Sequence, residues 1–186
     1  MSDSHDARES EPMKHLTLTV AICFLILIFA ADTGAAGEFN EPPPRDLGQL
    51  KQAHLWATQY YHRRTRLHDA PYGLGAFGYR LVPFRTIAAD RRVFTPGTVF
   101  FIPGLVGMSF EADGERTIHD GYVFFGDVGG AVRGHHIDMF TGAMRKNPAP
   151  EIITSTRRKR FEAYIVTDQA LIERLRRLHI RPGSAT

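Results

Sequence analysis

Apolar residues in this chain come in short runs cut by Gly, Pro and Asp, a rhythm that predicts many short strands. Leu55–Tyr61 (LWATQYY) alternates in part and is rich in aromatics, so it reads as a strand, followed by a basic turn over 62–68 and a glycine-rich loop over 71–78. Arg80–Ala89 reads as a strand ending at Asp90. Phe94-Thr95-Pro96-Gly97 has the Pro-then-Gly order of a type II turn. Thr98–Ile102 reads as a buried strand stopped by Pro103-Gly104. Ser109–Ile118 reads as a hairpin around Asp113-Gly114. Tyr122–Phe125, His136–Phe140 and Phe161–Val166 are further strands, with a glycine-rich bend over 126–134. Asp168 is placed to cap a last helix in which Leu171, Leu175 and Leu178 share one face. Such closely spaced strands with little helix predict a mainly β fold, a small closed barrel.

One run differs. Leu16–Ala31 is 16 residues of unbroken apolar sequence after Lys14 and His15, short for a span of about 20. Small residues follow, and cleavage after Gly34-Ala35-Ala36, before Gly37, would suit a signal peptidase. Residues 1–36 therefore read as a signal peptide or an uncleaved membrane anchor, with Met13 (MKHLTLTV) offering a more conventional start. Residues 37–51, with Pro42-Pro43-Pro44, read as a stiff linker. The folded part is expected over 52–142, followed by an extension, strand plus helix, over 143–186.

Export changes the chemistry available. The single cysteine, Cys23, lies in the apolar run, so the exported part has neither a disulfide nor a Cys-based zinc site. The net charge of +3 becomes +6 over residues 37–186, from 21 Lys+Arg against 15 Asp+Glu. A basic exported surface suits an anionic polymer or a membrane surface as well as plain solubility, and export argues against nucleic acid as a partner. The run Arg157-Arg158-Lys159-Arg160 reads as a solvated turn before the strand at Phe161. Trp56, Phe100, Phe101, Phe124 and Phe125 read as core.

The candidate chemistry lies in two stretches. One is Thr86-Ile87-Ala88-Ala89-Asp90; the other runs from Asp127 to Phe140, DVGGAVRGHHIDMF. Gly129, Gly130 and Gly134 allow a sharp bend with an aspartate at each end, and Asp138 alternates against Ile137 and Met139. Two carboxylates brought into one groove repel, so one keeps its proton above the ordinary value of about 3.9. A protonated carboxyl is what glycosidic cleavage needs at the leaving oxygen. On the residues alone, ordinary turn chemistry accounts for the same aspartates.

The segments IAAD, GDVGGAVRG and HIDMF closely resemble the 3D domain, named for three aspartates, a double-psi β-barrel of MltA-type lytic transglycosylases and small bacterial cell-wall proteins. The resemblance spans roughly 54–142, and ATQYY at 57–61 looks like the family's opening strand. It implies a single barwin-like double-psi barrel with a short C-terminal helix. It further implies cleavage of the β-1,4 bond between N-acetylmuramic acid and N-acetylglucosamine in peptidoglycan, without a cofactor or metal. Asp138 would be the catalytic acid and Asp127 its neighbour, raising its pKa. Thr58, Tyr60, Gly129, Gly130 and Arg133 would bind substrate and Asp90 would be structural. Val128 stands where Thr is common and Arg133 where Lys is frequent. Larger members carry a second domain for which this chain is expected to be too short, and small ones sometimes dimerise.

Three other readings compete. The His119-Asp120 and His135-His136-x-Asp138 groupings supply N and O ligands but match no standard zinc spacing. A single Asp127-Val128-Gly129 would make an aspartic protease only as a homodimer. A non-catalytic polysaccharide-binding or structural envelope protein would keep the barrel and have no use for a buried acid at 138.

Overall fold

The computed structural model describes residues 40–66, 70–112, 115–143, 147 and 149–180. The apolar run at 16–31 and the Asp113-Gly114 turn lie outside them. The chain divides into residues 1–37 and the unit Glu38–Thr186, which contains the fold described here. Among the described residues no helix is long and apolar enough to cross a membrane.

Among the described residues eight strands form: β1 (Lys51–Tyr60), β2 (Thr86–Ala89), β3 (Val99–Phe101), β4 (Ser109–Ala112), β5 (Glu115–Ile118), β6 (Tyr122–Asp127), β7 (His136–Phe140) and β8 (Phe161–Ile165). Six of them close in the order β1-β7-β2-β6-β3-β8, so this ring has no open edge; β4 and β5 form a separate hairpin. The ring mixes directions: β1–β7 and β2–β6 are parallel, the other four pairs antiparallel. β1 is long enough to serve two neighbours, with Lys51–Leu55 on β8 and Trp56–Tyr60 on β7.

Alternation sends Ala53, Leu55 and Ala57 of β1, Ile137 and Met139 of β7, and Phe100, Val123 and Phe125 into the barrel interior. The strands β3 and β6 are apolar on both faces because their other side is covered too. Val99, Phe101, Tyr122 and Phe124 pack under helix α2 (Gln169–Leu178) against Leu171 and Leu175. The side chain of Asp168 caps this helix, accepting from the amides of Ala170 and Leu171. Trp56 is not core: it is only half-buried on the outer face of β1.

Two stretches depart from the sequence pattern. Arg80–Arg85 is not strand. Pro83 cannot donate to a ladder, and the amides of Arg85 and Thr86 both close a turn on the Val82 carbonyl. Phe84 in that turn takes a left-handed φ of 57°, uncommon for a residue with a Cβ, while its ring is fully buried against Phe110. The Pro150–Ile153 helix, α1, was not predicted; Pro150 starts it and Ile152 and Ile153 are buried. The Thr95–Thr98 turn has the anticipated geometry, with Gly97 at φ 87° and the Thr98 amide on the Thr95 carbonyl.

The proline-rich segment is docked rather than standing free as a spacer. The Glu41 amide donates to Asp120 and its carboxylate pairs with Arg174. The Tyr122 hydroxyl donates to the Pro42 carbonyl. Asp120 also pairs with the guanidinium of Arg85, both side chains being nearly fully buried.

Two buried histidines give this fold a pH signature. His119 offers its Nε2 to the Phe84 carbonyl at 2.7 Å and takes the Gly121 amide on Nδ1 at 2.8 Å, an arrangement that requires the neutral ring. Burial, aided by the charge of Arg85, pushes its pKa down to about 3. Burial pushes His179 down to about 4. Groups depressed on folding contribute stability above their ordinary value of 6.5, and that stability is lost as pH falls toward the folded values. The thermal midpoint is expected to fall from pH 6.5 toward pH 4; a flat profile across that window contradicts the assignment.

Candidate functional site

The parallel register of β1 and β7 sets Trp56 beside His136, Thr58 beside Asp138 and Tyr60 beside Phe140. Since Ala57, Ile137 and Met139 point inward, alternation turns Trp56, Thr58, His136 and Asp138 to the outside of the barrel. On the next strand Ala88 pairs with Asp138 on one side and with Asp127 on the other. The two aspartates therefore sit at one level on β7 and β6 with β2 between them. Their backbones are about 10 Å apart, two strand spacings.

The two aspartates and Ala88 line an open cleft of about 430 Å³ together with Tyr60, His62, Leu74, Gly75, Ala76, Val128 and Gly129. A second cleft of about 370 Å³ shares Val128 and Gly129 and carries Asp90, Arg91, Arg92, Gly130 and Arg133. The small side chain of Ala88 keeps the space between the acids open.

Asp127 is heavily engaged. It accepts the Tyr60 hydroxyl at 2.9 Å and the amides of Ala76 and Val128, each at 2.8 Å. Burial and the adjacent Asp127 charge push the Tyr60 hydroxyl pKa far up, so Tyr60 stays a donor. Among the described residues Asp138 accepts from Thr58, whose Oγ1 lies 2.7 Å from Oδ1. Burial raises the Asp138 pKa, opposed by the Thr58 hydrogen bond and the His136 ring. Asp127 adds to the rise but is the least of these causes, as its place two strands away requires. Like-charge repulsion is thus secondary to desolvation here.

The other predicted residues are placed as follows. Asp90 is buried and takes the amides of Gly134 and Arg92 and the Arg92 guanidinium, which together hold its pKa well below the usual range. The Thr58 hydroxyl donates to Asp138 and lies 2.9 Å from His136 Nε2. Arg133 lines the second cleft while its Nη1 braces the bend through the carbonyls of Gly129 and Val132. Of the three bend glycines only Gly134 has a left-handed φ, 66°. A Cβ on Gly129 would strike Val132, whereas Gly130 faces open space. His119, read as a possible metal ligand, has both ring nitrogens taken by backbone groups. Among the described residues no group of three or more His, Cys, Asp or Glu is arranged to hold a metal ion.

Sequence reasoning missed Gly75, Ala76 and His62 at this site, weighed His136 only as a metal ligand, and named Ala88 only as part of the IAAD stretch. Gly75 is required by proximity: a Cβ there would lie 2.5 Å from the Gly126 carbonyl and 3.2 Å from Asp127. Gly75→Ala is expected to push the loop off Asp127, at a cost of about 1–3 kcal/mol typical of overpacking. A lower thermal midpoint and lost hydrogen-exchange protection of the Ala76 amide would report it.

Residues 85–149 match the family model of the 3D domain. The chain carries a 3D domain. The match holds Asp90, Asp127 and Asp138; β1, with Thr58 and Tyr60, and β8 lie outside the 3D domain match although they complete the ring. No curated protein matches the chain. Among solved structures, it is similar to MltA from E. coli at 21% identity and TM-score 0.34, over 55% of this chain and 29% of that one. E. coli MltA with bound chitohexaose aligns at 19% identity and TM-score 0.34, over 50% and 27%. A membrane-bound lytic murein transglycosylase from Agrobacterium tumefaciens aligns at 28% and TM-score 0.33, over 55% and 28%. The chain spans less than a third of the length of each of these proteins.

Proposed function

We propose that this protein is a peptidoglycan lytic transglycosylase with Asp138 as its acid and base. The observation that carries the reading is Asp138 itself: a carboxyl in an open cleft whose surroundings favour its proton. In this reading Asp138 protonates the oxygen joining N-acetylmuramic acid to N-acetylglucosamine as its bond to the muramic acid C1 breaks, and the N-acetylglucosamine side leaves as an alcohol. The carboxylate left behind takes the proton of the muramic acid C6 hydroxyl, whose oxygen bonds to C1. The product is a 1,6-anhydro end, and no water is consumed. Inverting hydrolases need a second carboxylate free to activate water. Asp127, with three hydrogen bonds already accepted, is poorly placed for that and well placed to hold a negative charge near developing positive charge.

The mixed strand directions of the ring accord with a double-psi barrel. We read residues 1–36 as an export or anchoring segment from their apolar sequence, and with it we propose a cell-envelope location with glycan strands as the partner. The decisive experiment incubates the protein with purified sacculi and analyses the fragments by mass spectrometry. Anhydro-muropeptides are expected. Reducing ends would identify a hydrolase, and binding without products would identify a non-catalytic wall-binding barrel.

A further inference from the structure

The outer face of β1 and β7 carries an ordered set of side chains that the proposed reaction does not use. The Arg157 guanidinium lies 5.6 Å over the Trp56 ring. Trp56 in turn stacks on His136, with centroids 3.5 Å apart and ring planes within 3°. His136 Nε2 is 2.9 Å from Thr58 Oγ1, and that hydroxyl is 2.7 Å from Asp138 Oδ1. The register explains the order, because Trp56/His136 and Thr58/Asp138 are successive pairs on one face.

A hydroxyl has one proton. If Thr58 donates it to the Asp138 carboxylate, its oxygen can meet His136 Nε2 only as an acceptor, so Nε2 carries a hydrogen. A hydroxyl otherwise rotates freely; this one is held from behind. We propose that His136, acting through Thr58, is the positioning residue of the Asp138 carboxyl. Trp56 and Arg157 hold the imidazole in plane. The catalytic meaning of this chain rests on the transglycosylase reading above; its physical existence does not.

The charges facing the chain are those of Asp138, Arg157 and, across β2, Asp127. Burial holds the His136 pKa below its ordinary value, and Arg157 adds to this; Asp138 and the Ala131 backbone pull it the other way. His136 and Asp138 each favour the charged form of the other, with burial the larger cause in both cases. When Asp138 gives up its proton, the same chain supports the carboxylate that must next accept one.

The test is a carbon-13 NMR titration of Asp138 in the full protein and in Thr58→Val, Thr58→Ser, His136→Phe and the double variant His136→Phe/Thr58→Val. Thr58→Val is expected to raise the Asp138 pKa by about one unit, the worth of a hydrogen bond to a charged group. Thr58→Ser should restore it. His136→Phe, which keeps an aromatic ring for Trp56, should raise it as well, and the double variant should shift less than the sum of the two. In the other direction, Asp138→Asn should lower the His136 pKa. Strictly additive shifts, or an Asp138 titration unchanged in folded His136→Phe, would overturn the proposal; His136→Gln, which retains a donor, supplies a second readout if the Phe variant does not fold. With sacculi, His136→Phe should lower kcat about tenfold or more with KM unchanged and move the alkaline limb of the pH profile upward. The titration needs no turnover, so an inactive wild-type protein would sink the transglycosylase reading alone, while missing titration shifts would sink the positioning role alone.

Discussion

Asp138→Asn is expected to abolish release of anhydro-muropeptides, a loss of about 10²- to 10⁴-fold or more, the range for removing a general acid–base group. The same variant is expected to be more stable than wild type at neutral pH. Burial raises the Asp138 pKa on folding, so the folded state prefers the protonated form. The contribution of Asp138 is therefore favourable below its unfolded value of 3.8 and is lost as pH rises through the folded value. Asparagine carries no charge and escapes that loss. Thermal melts at pH 7 and pH 3.5 check the sign: the variant gains at the higher pH and not at the lower. Inactivity combined with a stability gain marks a residue kept for chemistry; inactivity combined with loss of the folding transition would make it structural.

Asp120→Ala is expected to be the most damaging single change to the fold. Asp120 receives the Arg85 guanidinium and the amides of Tyr122 and Glu41. Its removal takes the carboxylate from a buried guanidinium that also donates to the Tyr122 carbonyl. Breaking one side of such a pair costs about 3–5 kcal/mol. Denaturant midpoints should show it, and the double variant Arg85→Met/Asp120→Leu should recover much of the loss because no charge is then stranded. If the double variant is as unstable as Asp120→Ala, the pair is not what holds this corner.

Much of the barrel was legible because its signals are local. Thr95–Thr98 needed only Pro and Gly in order, and the β3 and β6 runs needed only continuous apolar residues. Asp138 could be turned to the face opposite Ile137 and Met139 by strand alternation alone. What could not be read is anything set by which strands pair. Ala88 stands between the two acids because β2 lies between β6 and β7, a fact of topology. The sequence suggested mutual repulsion of neighbouring carboxylates; with a strand between them, burial governs instead. His136 lies two residues from Asp138 and was weighed as a metal ligand, yet its role depends on Thr58, 78 residues earlier. Trp56 was assigned to the core for its size, whereas the register brings it out against His136.

The contacts of Glu41 and Pro42 bear on where the domain can be excised. A fragment starting at β1 retains all six ring strands and looks complete in a topology diagram. It nonetheless strips the carboxylate from Arg174, one donor from Asp120 and the acceptor from the Tyr122 hydroxyl. A fragment that keeps these contacts starts at Glu41, upstream of the first strand, and a shorter clone would confuse a missing N-terminal brace with an intrinsically weak barrel.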